Sequence, residues 1–204
     1  MKTTKLGRNL VLWMAIGDGT LNANGYLSIR HSVKQKEYLE WKRKILKENG
    51  IAVSEIYYVN NNGYGGYEFR TKSYDFIKVW RKRLYKPSKK IYQKSILNSI
   101  ESLGLYIWYL DDGSLTKQKK NDQIVANTLY LNTQIEQNQN QIIIDWFLEK
   151  FHIKFYQNKD HKHYRLLCGT KEARKFLSII SKYKNEVPSM LYKFDIKPEP
   201  TTKY

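Results

Sequence analysis

Two aspartates carry the strongest chemical signal in the sequence. Asp18 closes the stretch LVLWMAIGDG (residues 10–19), and Asp112 closes LYIWYLDDG (105–113). Each is an apolar run ending in an acid followed at once by glycine, and the two acids stand 94 positions apart in a chain of 204. An apolar run with no polar face predicts a buried helix, and two such runs bury most simply against each other. Gly19 and Gly113 are expected to supply the left-handed residue that ends each helix. A carboxylate then sits in each last turn, where it opposes the helix dipole at a cost of a few tenths to about 1 kcal/mol. Two acids side by side also repel, and partial desolvation raises the pKa of both. A hard divalent cation relieves both penalties, and oxygen donors suit Mg²⁺. One Asp-Gly pair alone reads as a turn signal. Its recurrence at matching places in two copies makes a candidate site.

The elements that position these acids recur as well. After the first motif, an Asn-Gly turn leads into the strand YLSIRHS, and KQKEYLEWKRKILKENG has a helical period that stops at Gly50. EIYYV and YEFRTKS read as strands around the loop NNNGYGG, and YDFIKVWRKRLY reads as a second helix. The second copy runs TLYLNTQ (strand), QNQNQIIIDWFLEKFHI (helix), KFYQN and YRLLCG (strands), then TKEARKFLSIISKYK, a helix with Thr170 as its expected N-cap. The expected fold is therefore α+β, with an αββαββα half in residues 1–85, a basic linker in 86–100 and a second such half in 101–204.

Thirty-six Lys and Arg against 19 Asp and Glu give a net charge of +17. So large a charge costs self-repulsion and points to a polyanionic partner, above all nucleic acid. The 17 tyrosines and 5 tryptophans agree, because aromatics stack on bases. Lone Cys168 excludes an internal disulfide and a cysteine-based zinc site, and His161 and His163 beside it match no zinc spacing. No apolar run reaches the length of a membrane span. Lys2, Lys5 and Arg8 ahead of LVLWMAI imitate a signal peptide, but no small-residue cleavage site follows. The expectation is a soluble intracellular protein, cytoplasmic or organellar, with no membrane partner.

Strand side chains alternate between faces. In YEFRTKS, Glu68, Arg70 and Lys72 share one face, while Tyr67, Phe69 and Thr71 share the core face. Ser28 and Arg30 form a similar pair in the preceding strand. In the second half Lys154, Tyr156 and Asn158 form one set, and His161, His163 and Arg165 another. A β-ribbon fits the DNA major groove, where each base pair shows a distinct donor and acceptor pattern. Arg30, Arg70, Lys72, Lys154, Tyr156, Asn158, His163 and Arg165 are the candidate DNA contacts.

The paired motifs resemble those of the LAGLIDADG homing endonucleases in their single-chain, two-motif form. LYIWYLDDG is the closer match. VLWMAIGDG departs from the pattern, with Trp13 where the family usually has a small residue and Ile107 at the equivalent place in the second copy. Ala15 and Gly17 would then have to provide the close helix approach. HSVKQKEYLEWK, LNTQ (131–134) and VPSMLYKF also resemble family stretches. The resemblance implies halves related by a pseudo-twofold axis, with antiparallel sheets forming a saddle over double-stranded DNA. It implies that Asp18 and Asp112 bind Mg²⁺, with Mn²⁺ as an alternative. The carbonyls of Gly17 and Asp111 would be accessory ligands, and the Asp111 side chain would either add a ligand or face away. It implies a lysine near each acid: Lys193 in one half, and Lys89 in the other with Lys90 and Lys86 as alternatives. Gln35 and Gln134 either hold waters near the metal or cap helices.

The implied activity is that of a monomeric intron-homing type of endonuclease. It would cleave a long, asymmetric DNA target across the minor groove, leaving short 3′ overhangs. Two further readings stay open: a maturase of the same fold that binds intron RNA, and a DNA-binding regulator without catalysis. No splicing segments flank the motifs, so an intein is not expected.

Overall fold

The computed structural model describes residues 2–61, 63–86, 89–120 and 123–196. The first half runs α1 (Lys5–Ile16), β1 (Thr20–Leu21), β2 (Leu27–Ser32), α2 (Lys36–Glu48), β3 (Tyr57–Asn61), β4 (Tyr64–Arg70) and α3 (Asp75–Leu84). A short hairpin, β5 (Tyr85–Lys86) and β6 (Lys89–Lys90), and one helical turn, α4 (Lys94–Leu97), connect it to the second half. That half repeats the order as α5 (Ser102–Asp112), β7 (Gly113–Lys120), β8 (Gln123–Ile135), α6 (Gln137–Phe151), β9 (Tyr156–Asp160), β10 (His163–Gly169) and α7 (Thr170–Ile180). Two 3₁₀ segments follow, Ser181–Glu186 and Pro188–Phe194. The sheets are antiparallel with matching strand orders, β1-β2-β4-β3 and β7-β8-β10-β9. The α+β repeat is thus present in both halves, and the stretch expected as a linker contains secondary structure of its own. Its residues 87 and 88 lie outside the described residues.

The two motif helices are buried along their apolar runs, from Leu10 to Ile16 in α1 and from Leu105 to Leu110 in α5. Thr4 starts α1 by accepting the Gly7 N–H at 2.9 Å, which satisfies one of the unpaired amides of the first turn. The helices meet through a bulky residue on one and a missing side chain on the other. Trp13 is buried, and a Cβ built on Gly104 would lie 2.7 Å from its Cδ2. The small residue that the Trp13 position lacks is therefore supplied by the opposite helix. The Trp13 indole N–H donates to the Ser99 carbonyl at 3.1 Å. A second bond across the halves runs from the Tyr38 hydroxyl to the Ile107 carbonyl at 3.1 Å.

Two local expectations change. Gly19 and Gly113 do not adopt a left-handed conformation, which among glycines belongs to Gly25, Gly50 and Gly63. Gly113 is extended (φ −81°, ψ 147°) and opens β7 directly. These glycines answer to space instead: a Cβ on Gly19 would lie 2.6 Å from the Met14 carbonyl oxygen. Thr170 is the first residue of α7 rather than its cap, and its hydroxyl bonds the Asn127 backbone N–H (2.8 Å) and carbonyl (3.1 Å). No helix among the described residues is long and apolar enough to cross a membrane.

The Trp13–Gly104 contact yields a test. Helix propensity alone favours Ala over Gly by up to about 1 kcal/mol. The added methyl has no room, however, and overpacking typically costs about 1–3 kcal/mol. Gly104→Ala is expected to lower the urea midpoint, and Trp13→Leu in the same chain to recover part of the loss. Additive effects in this double-mutant cycle would show that the two sites are not coupled.

Candidate functional site

The C-terminal ends of α1 and α5 converge, and Asp111 is the residue that bridges them. Its Oδ2 accepts the backbone N–H of Asp18 at 3.1 Å, in the space left by the missing side chain of Gly17. Its Oδ1 lies 2.6 Å from Nζ of Lys42, on α2, and both side chains are wholly buried. Nζ of Lys42 is also 3.1 Å from His31 Nε2. His31, on β2, turns its Nδ1 toward Asp18 Oδ2 at 3.6 Å. Burial, and then the neighbouring Lys42, push the imidazole pKa down to about 3, so His31 is neutral at ordinary pH. A Lys42 proton donated to Nε2 assigns the ring proton to Nδ1, facing Asp18. The Asp18 side chain is 40% exposed and opens the site to solvent. Its pKa is raised, first by desolvation and next by the charge of Asp111.

Asp112 faces elsewhere. Its Oδ2 accepts the indole N–H of Trp108, one turn back on α5, at 3.0 Å. Burial, then Asp111 and Asp18, push its carboxyl up to about 7. The expectation paired Asp18 with Asp112, whereas the structure sets Asp111 against Asp18. Successive helical residues project about 100° apart, so only one of two adjacent acids can face α1. Asp112 remains part of the same electrostatic cluster.

Two lysines cap the helix ends. Nζ of Lys193, a buried residue, donates to the carbonyls of Leu110 (2.6 Å) and Gly113 (2.8 Å) at the end of α5. Nζ of Lys90 does the same at the end of α1, to Ile16 (3.3 Å) and Gly17. Both bind orphan carbonyls and meet the negative end of the dipole. Burial lowers both pKa values while the three acids raise them in part. Lys89, the residue favoured from the sequence, is exposed and pairs with Glu136 at 3.1 Å. Adjacent residues on a strand point to opposite sides, so only one of Lys89 and Lys90 can turn inward. The Gly17 carbonyl, expected as an accessory ligand, is occupied by Lys90.

The remaining candidates fall on the sheets. Gln35 accepts from Ser32 at 3.4 Å, beside His31, whereas Gln134 binds Asp160 at 2.8 Å. Pairing sets Ser28 opposite Arg70 and Arg30 opposite Glu68. Glu68 Oε1 gathers the Ser28 hydroxyl (3.0 Å), the Tyr57 hydroxyl (2.7 Å) and Arg70 Nε (2.6 Å). Arg30 donates to the carbonyls of Val59 and Tyr64, and Lys72 lies exposed just past β4. In the second sheet Asn158 pairs with Arg165 and Asp160 with His163. Tyr156 and Asn158 are exposed, and Arg165 lies over the Tyr130 ring at 4.4 Å. Lys154 precedes β9 rather than lying in it, and His161 is in the turn between β9 and β10.

His31 and Lys42 were not foreseen. Lys42 had a signal: it stands among Tyr38, Leu39, Trp41 and Leu46 on the buried stripe of α2, where a solvated lysine has no place. The donor set fits a divalent cation. Ligand atoms of Asp18, His31 and Asp111 lie within 4.8 Å of one another. The carboxylate oxygens of Asp18 and Asp111 suit a hard cation, while His31 turns Nε2 to Lys42 and its proton on Nδ1 toward Asp18.

The comparisons with known proteins give a family and a fold. Residues 10–176 match the sequence profile of the LAGLIDADG DNA endonuclease family, a span that takes in both acidic motifs. Among curated relatives, the RecA protein of Mycobacterium shimoidei is 31% identical over 117 residues, covering 54% of this chain and 26% of that protein. The RecA protein of Mycobacterium leprae (strain TN) is 30% identical over 121 residues, covering 56% of this chain and 16% of that one. The chain therefore spans about a quarter or less of the length of these relatives. Among solved structures, the homing endonuclease I-WcaI bound to its DNA recognition sequence superposes with a TM-score of 0.78 at 19% identity, over 97% of this chain and 90% of that one. Full-length DUF199/WhiA from Thermatoga maritima gives 0.51 at 14% identity, over 94% and 63%. These two are likenesses of fold, and it is the profile, running through both motif helices and both sheets, that decides the family. The chain belongs to the LAGLIDADG DNA endonuclease family.

Proposed function

We propose that the chain is a site-specific endonuclease that hydrolyses one phosphodiester in each strand of double-stranded DNA. The observation that carries this reading is the cluster of Asp18, Asp111 and Asp112 where α1 and α5 end, in a chain of net charge +17 with a basic sheet in each half. The two sheets form the saddle that receives the duplex. Arg30, Arg70, Lys72, Lys154, Tyr156, Asn158, His163 and Arg165 contact phosphates and base edges, the phosphates positioning and the bases specifying. Divalent cations, Mg²⁺ or Mn²⁺, held at Asp18 with Asp111 and at Asp112, would supply Lewis acidity and a water of lowered pKa. Lys90 and Lys193 hold the two acid-bearing turns and place positive charge beside the developing phosphate charge. Cleavage across the minor groove with short 3′ overhangs, as the family resemblance implies, completes this reading. One chain carries both motifs and acts as a monomer.

Cleavage of DNA spanning the gene's own insertion site is expected with Mg²⁺ and lost in EDTA. Asp18→Asn and Asp112→Asn should each slow double-strand cleavage by roughly a hundredfold or more, the equivalent of about 3 kcal/mol. Affinity for DNA in Ca²⁺ should stay within about threefold. If affinity collapses along with cleavage, the acids serve the fold instead.

Charge sets a second expectation. Raising salt from about 50 to 200 mM should weaken DNA binding on the order of a thousandfold, as counterion release requires. A filter-binding series with a flat salt response would contradict a phosphate-contacting surface.

Proton competition sets a third. The Asp112 carboxyl is pushed up to about 7, so below that pH it holds a proton that a cation must displace. Calorimetric Mn²⁺ affinity should therefore fall roughly tenfold per unit as pH drops from 7 to 5, and level off above 8. Affinity independent of pH across this window would remove Asp112 from the ligand set.

A further inference from the structure

Lys42 and Asp111 form an ion pair with no exposed surface on either side chain. Buried pairs of this kind seldom add stability, because desolvating two charges offsets their attraction, and apolar replacements are often neutral or better. What the pair does in this fold is visible in its connections. Lys42 reaches Asp18 by two routes. One runs through Asp111, whose other oxygen accepts the Asp18 backbone N–H. The other runs through His31, whose far nitrogen faces the Asp18 carboxylate. Backbone and side chain of one acid are thus both tied to one ammonium, the first across the boundary between the halves through Asp111 and the second within the first half through His31.

Among the described residues, the second half has no such clamp. Trp41 in α2 and Trp146 in α6 hold matching places in EWK and DWF, so the position of Lys42 is taken by Phe147. Phe147 is buried and stacks on Trp108 with ring centroids 6.1 Å apart. The Trp108 indole then holds Asp112. One acid is held by charge from across the interface, the other by an aromatic stack within its own half.

We infer that Lys42, acting through Asp111 and His31, is a positioning residue for Asp18 alone, so that its loss disables cleavage of one DNA strand and spares the other. The inference rests on the endonuclease reading. Lys42→Met keeps the length of the side chain and removes the charge. His31→Phe keeps the ring that packs on Tyr38 at 5.0 Å and removes both nitrogens. The experiment uses the full chain on a target with each strand separately end-labelled, after a melting curve confirms folding. In both variants, cutting of one and the same strand should slow at least tenfold while the other stays within threefold, so that supercoiled plasmid accumulates as nicked circles. Lys42→Arg should restore part of the lost rate. A folded variant that slows both strands equally, or neither, overturns the inference. If the unaltered chain cuts neither strand, the endonuclease reading fails, and Mn²⁺ calorimetry decides the positioning role: Lys42→Met should bind at least tenfold more weakly, and equal affinity overturns it.

Discussion

The structure turns on the packing of three carboxylates against the negative ends of two buried helices. Everything at that point is electrostatically unfavourable. Asp18, Asp111 and Asp112 repel one another, they are drawn away from water, and they face the carbonyl ends of α1 and α5. The chain compensates with three inward lysines from three different elements: Lys42 from α2, Lys90 from the connecting hairpin and Lys193 from the last 3₁₀ segment. Each is far from the acids in sequence, so the site forms only when both halves and the connector are folded together. Lys90 and Lys193 bind backbone carbonyls and leave the acids' oxygens free, whereas Lys42 binds a carboxylate directly. The compensation is therefore uneven, and Asp18, tied to Lys42 through Asp111 and His31, is the acid open to solvent.

That unevenness separates the symmetry of the fold from the symmetry of the site. Helix and strand order repeat, and the two sheets share one topology. The residues at matching places do not repeat. Gly17 stands where the second motif has Asp111, Met14 where it has Trp108, and Lys42 where α6 has Phe147. Since Gly17 has no side chain, the Asp111 carboxylate can enter the first half and replace what that half lacks. The same economy appears at Trp13 and Gly104, where bulk on one helix meets a gap on the other. A pair of halves that complement rather than copy each other suits a duplex with an asymmetric sequence.

How much of this is legible in the sequence follows from what pattern can and cannot encode. The motif helices are readable because every residue from Leu105 to Leu110 is apolar, which only a buried helix explains. The sheet faces are readable because alternation is geometric: Arg30 and Arg70 do share a face in register. Which acid of Asp111 and Asp112 faces α1 is not readable, because helix rotation is set by packing against the other half. Lys89 and Lys90 are indistinguishable for the same reason, with one residue of strand register deciding between them. Gly19 and Gly113 meet a need for space rather than for a left-handed turn, and both causes leave the same letter in the sequence. Lys42 is the instructive case, since a lysine on an otherwise apolar stripe was open to reading and only its partner was hidden.

The basic surface and the acidic centre belong to one design. Glu68, buried on the polar face of the first sheet, collects Ser28, Tyr57 and Arg70 on one oxygen. Its hydrogen bonds outweigh its own desolvation and keep its pKa low. The Arg70 guanidinium, 5.7 Å from the ring of Tyr26 and 5.9 Å from that of Tyr57, is held by Glu68 on its own strand, by β3 and by the loop before β2. A guanidinium fixed in this way loses little entropy when it meets a phosphate or a guanine edge. In the second sheet Arg165 is braced by Tyr130 and Asp160 in the same manner. For an anionic partner, these would be cations already held in place around the acidic centre. A divalent cation at the acids would then meet a phosphodiester lying across the sheets.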